Sequence, residues 1–297
     1  MFETAELGRT LDKTEFKQQV PALRTEMLKL QREVEARGLP VIVLVAGVEG
    51  SGRGDAINLI NEWMDTRNII THAFDVPTEE ERHRPEYWRY WMATPPKGSI
   101  AVITGAWYLR SILERIHGKG DDADLGRALV RIQDFERALT DSGTLLIKLW
   151  MHISKKDQKK RFKKLRADPR TAWRVTERDL EHAERYDELR SVYSRVVRET
   201  STGNAPWYVI ESGDRRFRDV AIARQICDRI QRRLDKPAAD KRTEPPGPID
   251  DPDTILDTID LSKSIEREVY RERLATEQGR LYELSRRVRE EGVGTML

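Results

Sequence analysis

Residues 41–55 read V-I-V-L-V-A-G-V-E-G-S-G-R-G-D. The apolar run 41–46, rich in β-branched residues and closed by a glycine, has the length and composition of a strand buried on both faces. The loop behind it carries Gly47, Gly50, Gly52 and Gly54. Glycines free a backbone to wrap an anion, and the amides that open the next helix add partial positive charge. Against the phosphate-loop pattern G-x-x-x-x-G-K-[ST], Gly47 and Gly52 keep the two anchoring places. Arg53 stands where lysine belongs, and Gly54 replaces the hydroxyl residue. A planar guanidinium fork is a poor substitute for a compact ammonium. The loop residues Gly47, Gly50, Ser51, Gly52 and Gly54 are expected to bind phosphate, with Glu49 and Arg53 in the catalytic positions.

Outward from this loop, short apolar runs at 69–74, 100–104, 145–150 and 207–211 alternate with helical patterns at 55–65, 107–116, 124–141, 155–165, 177–200 and 217–234. Such alternation predicts parallel strands with right-handed crossovers, an α/β/α three-layer sandwich around a five-stranded sheet. Phosphates in that architecture sit beyond the carboxyl ends of the strands, where the glycine loop falls. A metal aspartate is expected at the end of a neighbouring strand, yet the strand at 100–104 runs into Gly105-Ala106-Trp107-Tyr108 with no acid. Whether Glu49 or Asp75 takes over metal binding stays open.

The chain repeats its own beginning. Leu7, Leu11, Phe16, Val20, Met27, Leu30, Val34 and Gly38 match Leu261, Ile265, Tyr270, Leu274, Leu281, Leu284, Val288 and Gly292, each pair 254 residues apart. A constant offset through both helices points to duplication at the scale of a whole domain. Between the copies, 235–253 holds Pro237, Pro245, Pro246, Pro248 and Pro252 among charged residues, a composition that reads as an extended linker. The expected organisation is a helical arm (1–40), one α/β domain (41–234), the linker (235–253) and the start of a second, truncated repeat (254–297). The amphipathic helix at 11–34 is expected outside the core, free to pack on a partner.

Charge is nearly balanced, 53 Lys and Arg against 51 Asp and Glu for a net +2, but it is clustered. Residues 155–174 hold ten cations, including Lys155, Lys159, Lys160, Arg161, Lys164, Arg166 and Arg174, against Asp157 and Asp168. Beside a phosphate loop this segment reads as a lid over a polyanion. With only Phe162 and Trp173 among its cations it lacks the interleaved aromatics of a base-stacking surface, which argues against nucleic acid. The aromatic stretch Tyr87-Trp88-Arg89-Tyr90-Trp91 reads as helix packing, and the five histidines show no ligand spacing. No apolar run approaches the ~20 residues that span a bilayer. The single cysteine, Cys227, excludes an intrachain disulfide framework and fits a reducing cytoplasm. Its neighbours Ile226 and Ile230 make it a buried helical thiol rather than a nucleophile.

Taken together, several stretches resemble the polyphosphate kinase 2 family within the P-loop kinase fold, over roughly residues 5–232. They are G-V-E-G-S-G-R-G at 47–54, P-T-E-E-E-R with W-R-Y-W and P-P-K-G within 77–98, W-Y-L-R-S-I-L-E-R-I at 107–116, H-I-S-K-K-D-Q-K-K-R-F at 152–162, D-P-R-T-A-W-R at 168–174 and T-S-T-G-N-A-P-W-Y-V-I at 200–210. The resemblance implies phosphoryl transfer from polyphosphate to AMP, giving ADP, with Mg2+ as cofactor and polyphosphate and AMP/ADP as partners. It assigns phosphate contacts to Arg110 and Arg115 and polyphosphate contacts to the lid cations. Family loops read G-x-D-x-A-G-K-G, where this chain has Glu49, Ser51 and Arg53. The family motif D-R-S-W-Y appears as Thr104-Gly105-Ala106-Trp107-Tyr108, without the metal aspartate and its arginine. Duplication and worn motifs together resemble the amino-terminal half of fused, two-domain members, active weakly or as a scaffold. A homo-oligomer, or pairing with an intact second repeat, is expected. The alternatives are a non-catalytic assembly domain and an ATP-dependent nucleoside monophosphate kinase.

Overall fold

Strand and helix alternate through the first of two units, Met1–Ala238 and Ala239–Leu297, into which the chain divides. The computed structural model describes residues 1–236, 259–260 and 262–294. In chain order the elements are α1 (Lys13–Ala36), β1 (Val41–Gly47), α2 (Arg53–Trp63), β2 (Ile69–Ala73), α3 (Glu79–Arg82), α4 (Trp88–Trp91), β3 (Ile100–Thr104), α5 (Leu109–Ile116), α6 (Asp122–Asp141), β4 (Leu145–His152), α7 (Lys155–Ala167), α8 (Glu177–Glu184), α9 (Tyr186–Glu199), β5 (Trp207–Glu211) and α10 (Arg215–Asp235). The second unit contributes α11 (Arg267–Glu290). The linker 235–253 lies, beyond Lys236, outside the described residues, as do residues 295–297.

The five strands form one sheet in the order β2-β3-β1-β4-β5. Every neighbouring pair is parallel, with Val41 opposite both Ile100 and Leu145. The order reverses about β1, and ligands in such sheets bind beyond the carboxyl ends at the reversal. Because side chains alternate along a strand, β1 feeds two cores. Val41, Val43 and Val45 pack with α1, α2 and α10, while Ile42 and Leu44 pack on the other face with α5, α6 and α9. The expected three-layer α/β/α sandwich with a five-stranded parallel sheet is therefore the observed fold.

Two expectations need correcting. The helix at 11–34 is not outside the core: Leu23, Met27, Leu30 and Val34 of α1 are buried in the cluster that holds α10. Each such side chain contributes about 1.5–3 kcal/mol of burial, which leaves little apolar face for a partner. The single helix expected at 177–200 is broken into α8 and α9 at Arg185 (ψ 21°), whose guanidinium donates to the Ile116 carbonyl 2.5 Å away. Cys227 is buried on α10 and burial pushes its thiol up to about 12. In the aromatic stretch, Arg89 stacks over Phe74 and pairs with Glu81 at 3.4 Å, a packing role as expected.

Candidate functional site

The loop leaving β1 can be built only with glycine at two of its turns. Gly47 has φ 141°, and an added Cβ would lie 2.1 Å from the Met151 carbonyl oxygen. Gly52 caps α2 at φ 90°, where a Cβ would meet Arg218 Nη1 at 2.2 Å. Hydrogen bonds from Val48 N to the Met151 carbonyl (3.0 Å) and from Ser51 N to the Val48 carbonyl (3.1 Å) hold the loop on β4. No side chain caps α2, so its first-turn amides and the helix dipole remain available to an anion. Gly54 is exposed with open space around it. The Ser51 hydroxyl is buried without a partner among the described residues. Arg53 lines a cleft with Gly47, Glu49, Gly105, Tyr108 and Tyr193.

Glu49 is 7% exposed and is held from behind. Tyr193 on α9 donates to its Oε2 at 3.2 Å, and Gln158 on α7 donates to its carbonyl at 2.8 Å. His182 Nδ1 of α8 lies 3.1 Å from Oε1, angled away from a straight hydrogen bond. Burial alone would raise the Glu49 carboxyl; His182 beside it and the Arg53 guanidinium override this and hold it below its ordinary value.

The ten-cation segment does not act as one surface. Arg161 of α7 and Arg174, in the 3-10 turn Ala172–Arg174, both reach Asp55 on the first turn of α2, at 2.7 and 2.8 Å. Arg218 on α10 joins them at 3.3 Å while holding Asp219 at 2.7 Å. On another face, Lys155, Lys159, Lys163 and Arg166 line a groove between α7 and α8, and Lys155 pairs with Asp187. Lys160 and Lys164 are exposed. Arg110 and Arg115 of α5 sit in surface ion pairs with Glu114 (2.8 Å) and Asp122 (2.6 Å).

Beyond β3, Gly105 (φ 62°) passes so close to β2 that an added Cβ would lie 2.0 Å from the Phe74 carbonyl oxygen. Trp107 and Tyr108 turn inward, donating to Glu136 Oε1 at 3.0 and 2.5 Å. Lys148 Nζ, fully buried on β4, pairs with Glu136 Oε2 at 2.7 Å and donates to the Thr200 carbonyl at 2.7 Å. At the β1 and β3 exits the residues do not fit a Mg2+ held by protein carboxylates, and Asp75, the other candidate acid, is exposed beyond β2 with its carbonyl accepting from Arg89 at 3.1 Å. Thr104 ends the strand, and the carboxylates nearest the loop, Glu49 and Asp55, already face His182, Tyr193 and three guanidiniums. Among the described residues no group of three or more His, Cys, Asp or Glu is placed to hold a metal.

Sequence reasoning missed Asp55, Arg218, His182 and Tyr193. The available signal was weak: an acid in the first turn of the helix after the loop, where a glycine-rich anion site gains nothing from negative charge.

No helix among the described residues is long and apolar enough to cross a membrane. The family model for polyphosphate kinase 2 matches residues 10–238. A polyphosphate:AMP phosphotransferase from Pseudomonas aeruginosa is 39% identical over 290 residues, covering 96% of this chain and 58% of that relative. One from Pseudomonas syringae pv. tomato is 37% identical, covering 95% and 57%. The chain thus spans a little over half the length of these relatives. The crystal structure of a polyphosphate kinase 2 from Pseudomonas aeruginosa superposes with a TM-score of 0.80 at 37% identity, over 96% of this chain and 56% of that one. One from Arthrobacter aurescens gives 0.72 at 29% identity, over 79% and 85%. The family model covers most of the chain and the fold superposes on these structures: the chain belongs to the polyphosphate kinase 2 family.

Proposed function

We propose that this chain is the polyphosphate-holding part of a polyphosphate:AMP phosphotransferase, and that by itself it transfers phosphate weakly or not at all. The observation that carries this is a contrast at the carboxyl end of the sheet. The β1 exit presents glycine-loop amides under three guanidiniums, whereas the β3 exit ends in Thr104 with no acid. Phosphoryl transfer needs positioning and charge neutralisation more than covalent chemistry. Loss of one well-placed electrostatic group costs ~10²–10³ in rate. In this proposal the loop amides and Arg53 take one phosphate, and Arg161 and Arg174 neutralise the chain beyond it. AMP enters through the likeness to the longer relatives, as does magnesium.

The organisation into arm, domain, linker and second repeat belongs to the same proposal, with the working site in a second copy that pairs with this one. The assembly-domain alternative loses the feature that favoured it, since the apolar face of α1 lies in the core with α10. The test is to incubate the purified chain with polyphosphate, AMP and Mg2+ and follow ADP, alongside binding at two salt concentrations. Binding that weakens as salt rises, with little ADP, is the expected outcome. Turnover equal to that of an intact family member would overturn the weak-activity half, and absence of binding would overturn the whole.

A further inference from the structure

Three guanidiniums from three separate elements meet over the first turn of α2: Arg161 from α7, Arg174 from the 3-10 turn, and Arg218 from the first turn of α10. All three point at Asp55, which remains 25% exposed, while Arg218 is 1% exposed and also grips Asp219. The cluster therefore sets these three guanidiniums, with the exposed Arg215 also 3.5 Å from Asp219, against two carboxylates. The excess is felt: burial, aided by Arg218 and Arg174, pulls Arg161 below its ordinary value despite Asp55 beside it. Burial alone would raise the Asp55 carboxyl, yet Arg174, Arg218 and Arg161 hold it low. The guanidiniums also press on the loop, since a Cβ at Gly52 would meet Arg218 at 2.2 Å and Arg161 at 3.2 Å.

We infer that Arg161, Arg174 and Arg218 form a seat for one phosphate group of a condensed phosphate chain, and that the Asp55 carboxylate is its resident competitor, held there until the chain displaces it. The inference rests on the polyphosphate reading above. Guanidinium forks grip carboxylate and phosphate in the same geometry, so a carboxylate in such a fork stands where a phosphate oxygen pair can stand. A chain phosphate offers further oxygens to a third guanidinium, which one carboxylate can serve only poorly, as the longer 3.3 Å contact to Arg218 indicates. Arg161 and Arg174 both belong to the basic segment 155–174, so displacing Asp55 transfers the two cations of that segment that reach the loop to the ligand.

The test compares the full chain with Asp55→Asn, Arg174→Gln and the double variant, titrating each with polyphosphate and, separately, with pyrophosphate. Asp55→Asn keeps the shape and removes the competing charge. It is expected to bind polyphosphate about tenfold tighter, and Arg174→Gln about tenfold weaker, as for close charge pairs elsewhere. Adding Arg174→Gln to Asp55→Asn should cancel most of the gain. Should Asp55→Asn fail to fold, Asp55→Ser serves the same comparison. Polyphosphate bound equally by wild type and Asp55→Asn, or a gain that survives Arg174→Gln undiminished, would overturn the seat while leaving the functional proposal intact. Tighter binding without any ADP formation supports the seat irrespective of catalysis. If no protein binds either probe, both proposals fall together.

Discussion

The β1 and β3 exits lie side by side, their strands in register from Val41 opposite Ile100 to Leu44 opposite Ile103, yet they are built differently. At the β1 exit a glycine loop leads into the uncapped first turn of α2, where three guanidiniums meet Asp55. At the β3 exit the chain turns its polar and aromatic groups inward, onto Glu136 and Lys148. Holding an anion needs backbone conformation and convergent positive charge, which survive changes of individual side chains. Holding a metal needs a particular carboxylate at a particular point, which one substitution removes.

The largest effect expected of this contrast is on stability at the β3 exit. Glu136→Ala leaves Lys148 buried without its partner and should cost about 4 kcal/mol, read as a loss of melting temperature of roughly 10 °C or more. Polyphosphate affinity in the surviving folded protein should change little. A large loss of affinity would show that the two exits are not separate.

Next comes Gly47→Ala, whose added carbon meets the Met151 carbonyl oxygen at φ 141°. Overpacking and backbone strain together should cost about 3 kcal/mol, and because the loop itself moves, polyphosphate binding should fall as well. A variant with unchanged melting temperature and affinity would break the claim that the β1 exit is set by its backbone.

Smaller is the gain expected from placing an acid at the β3 exit. Thr104→Asp should raise magnesium-dependent ADP formation by about tenfold, less than a complete site would give. Adding Gly105→Arg to it should lose stability, since any Cβ there meets the Phe74 carbonyl oxygen. Equal ADP formation by Thr104→Asp and wild type would mean that the missing acid is not what limits this chain.

The smallest effect concerns the end of β4, on which the β1 loop leans. Burial lowers the His152 imidazole below its ordinary 6.5, although Glu6 Oε1 lies 2.7 Å from Nε2. A histidine depressed in the folded state contributes stability that is complete above about pH 6.5 and is lost as pH falls below it. Melting temperature should therefore drop between pH 7.5 and pH 5.5, and His152→Gln should flatten that drop. An identical pH dependence in the variant would assign the loss to other groups.

Much of this was legible before any coordinates. The alternation of apolar runs and amphipathic stretches locates all five strands to within two residues, because period and length are local properties. The repeat shows where such reading stops. Met27 and Leu30 of α1 are at most 3% exposed, whereas Leu281 and Leu284, their counterparts on α11, are 60% and 45% exposed. The same pattern makes a helix twice, but only the presence of α10 against α1 decides that its apolar face is buried. Likewise Lys148 sits among apolar neighbours in the sequence, and nothing in its surroundings announces Glu136 as its partner.

By itself, then, the sequence determined the strand, the glycine turn, the helix that follows it and the absence of an acid after β3. These depend on neighbouring residues and on conformations that only glycine adopts. The tertiary structure alone decided that Glu49 is sealed against His182 and Tyr193, and that Arg161, Arg174 and Arg218 converge on Asp55. Those contacts join residues as far as 163 positions apart. Charge acts through distance in space, and the spacing of residues along a chain carries no measure of that distance until the sheet has brought its strands together.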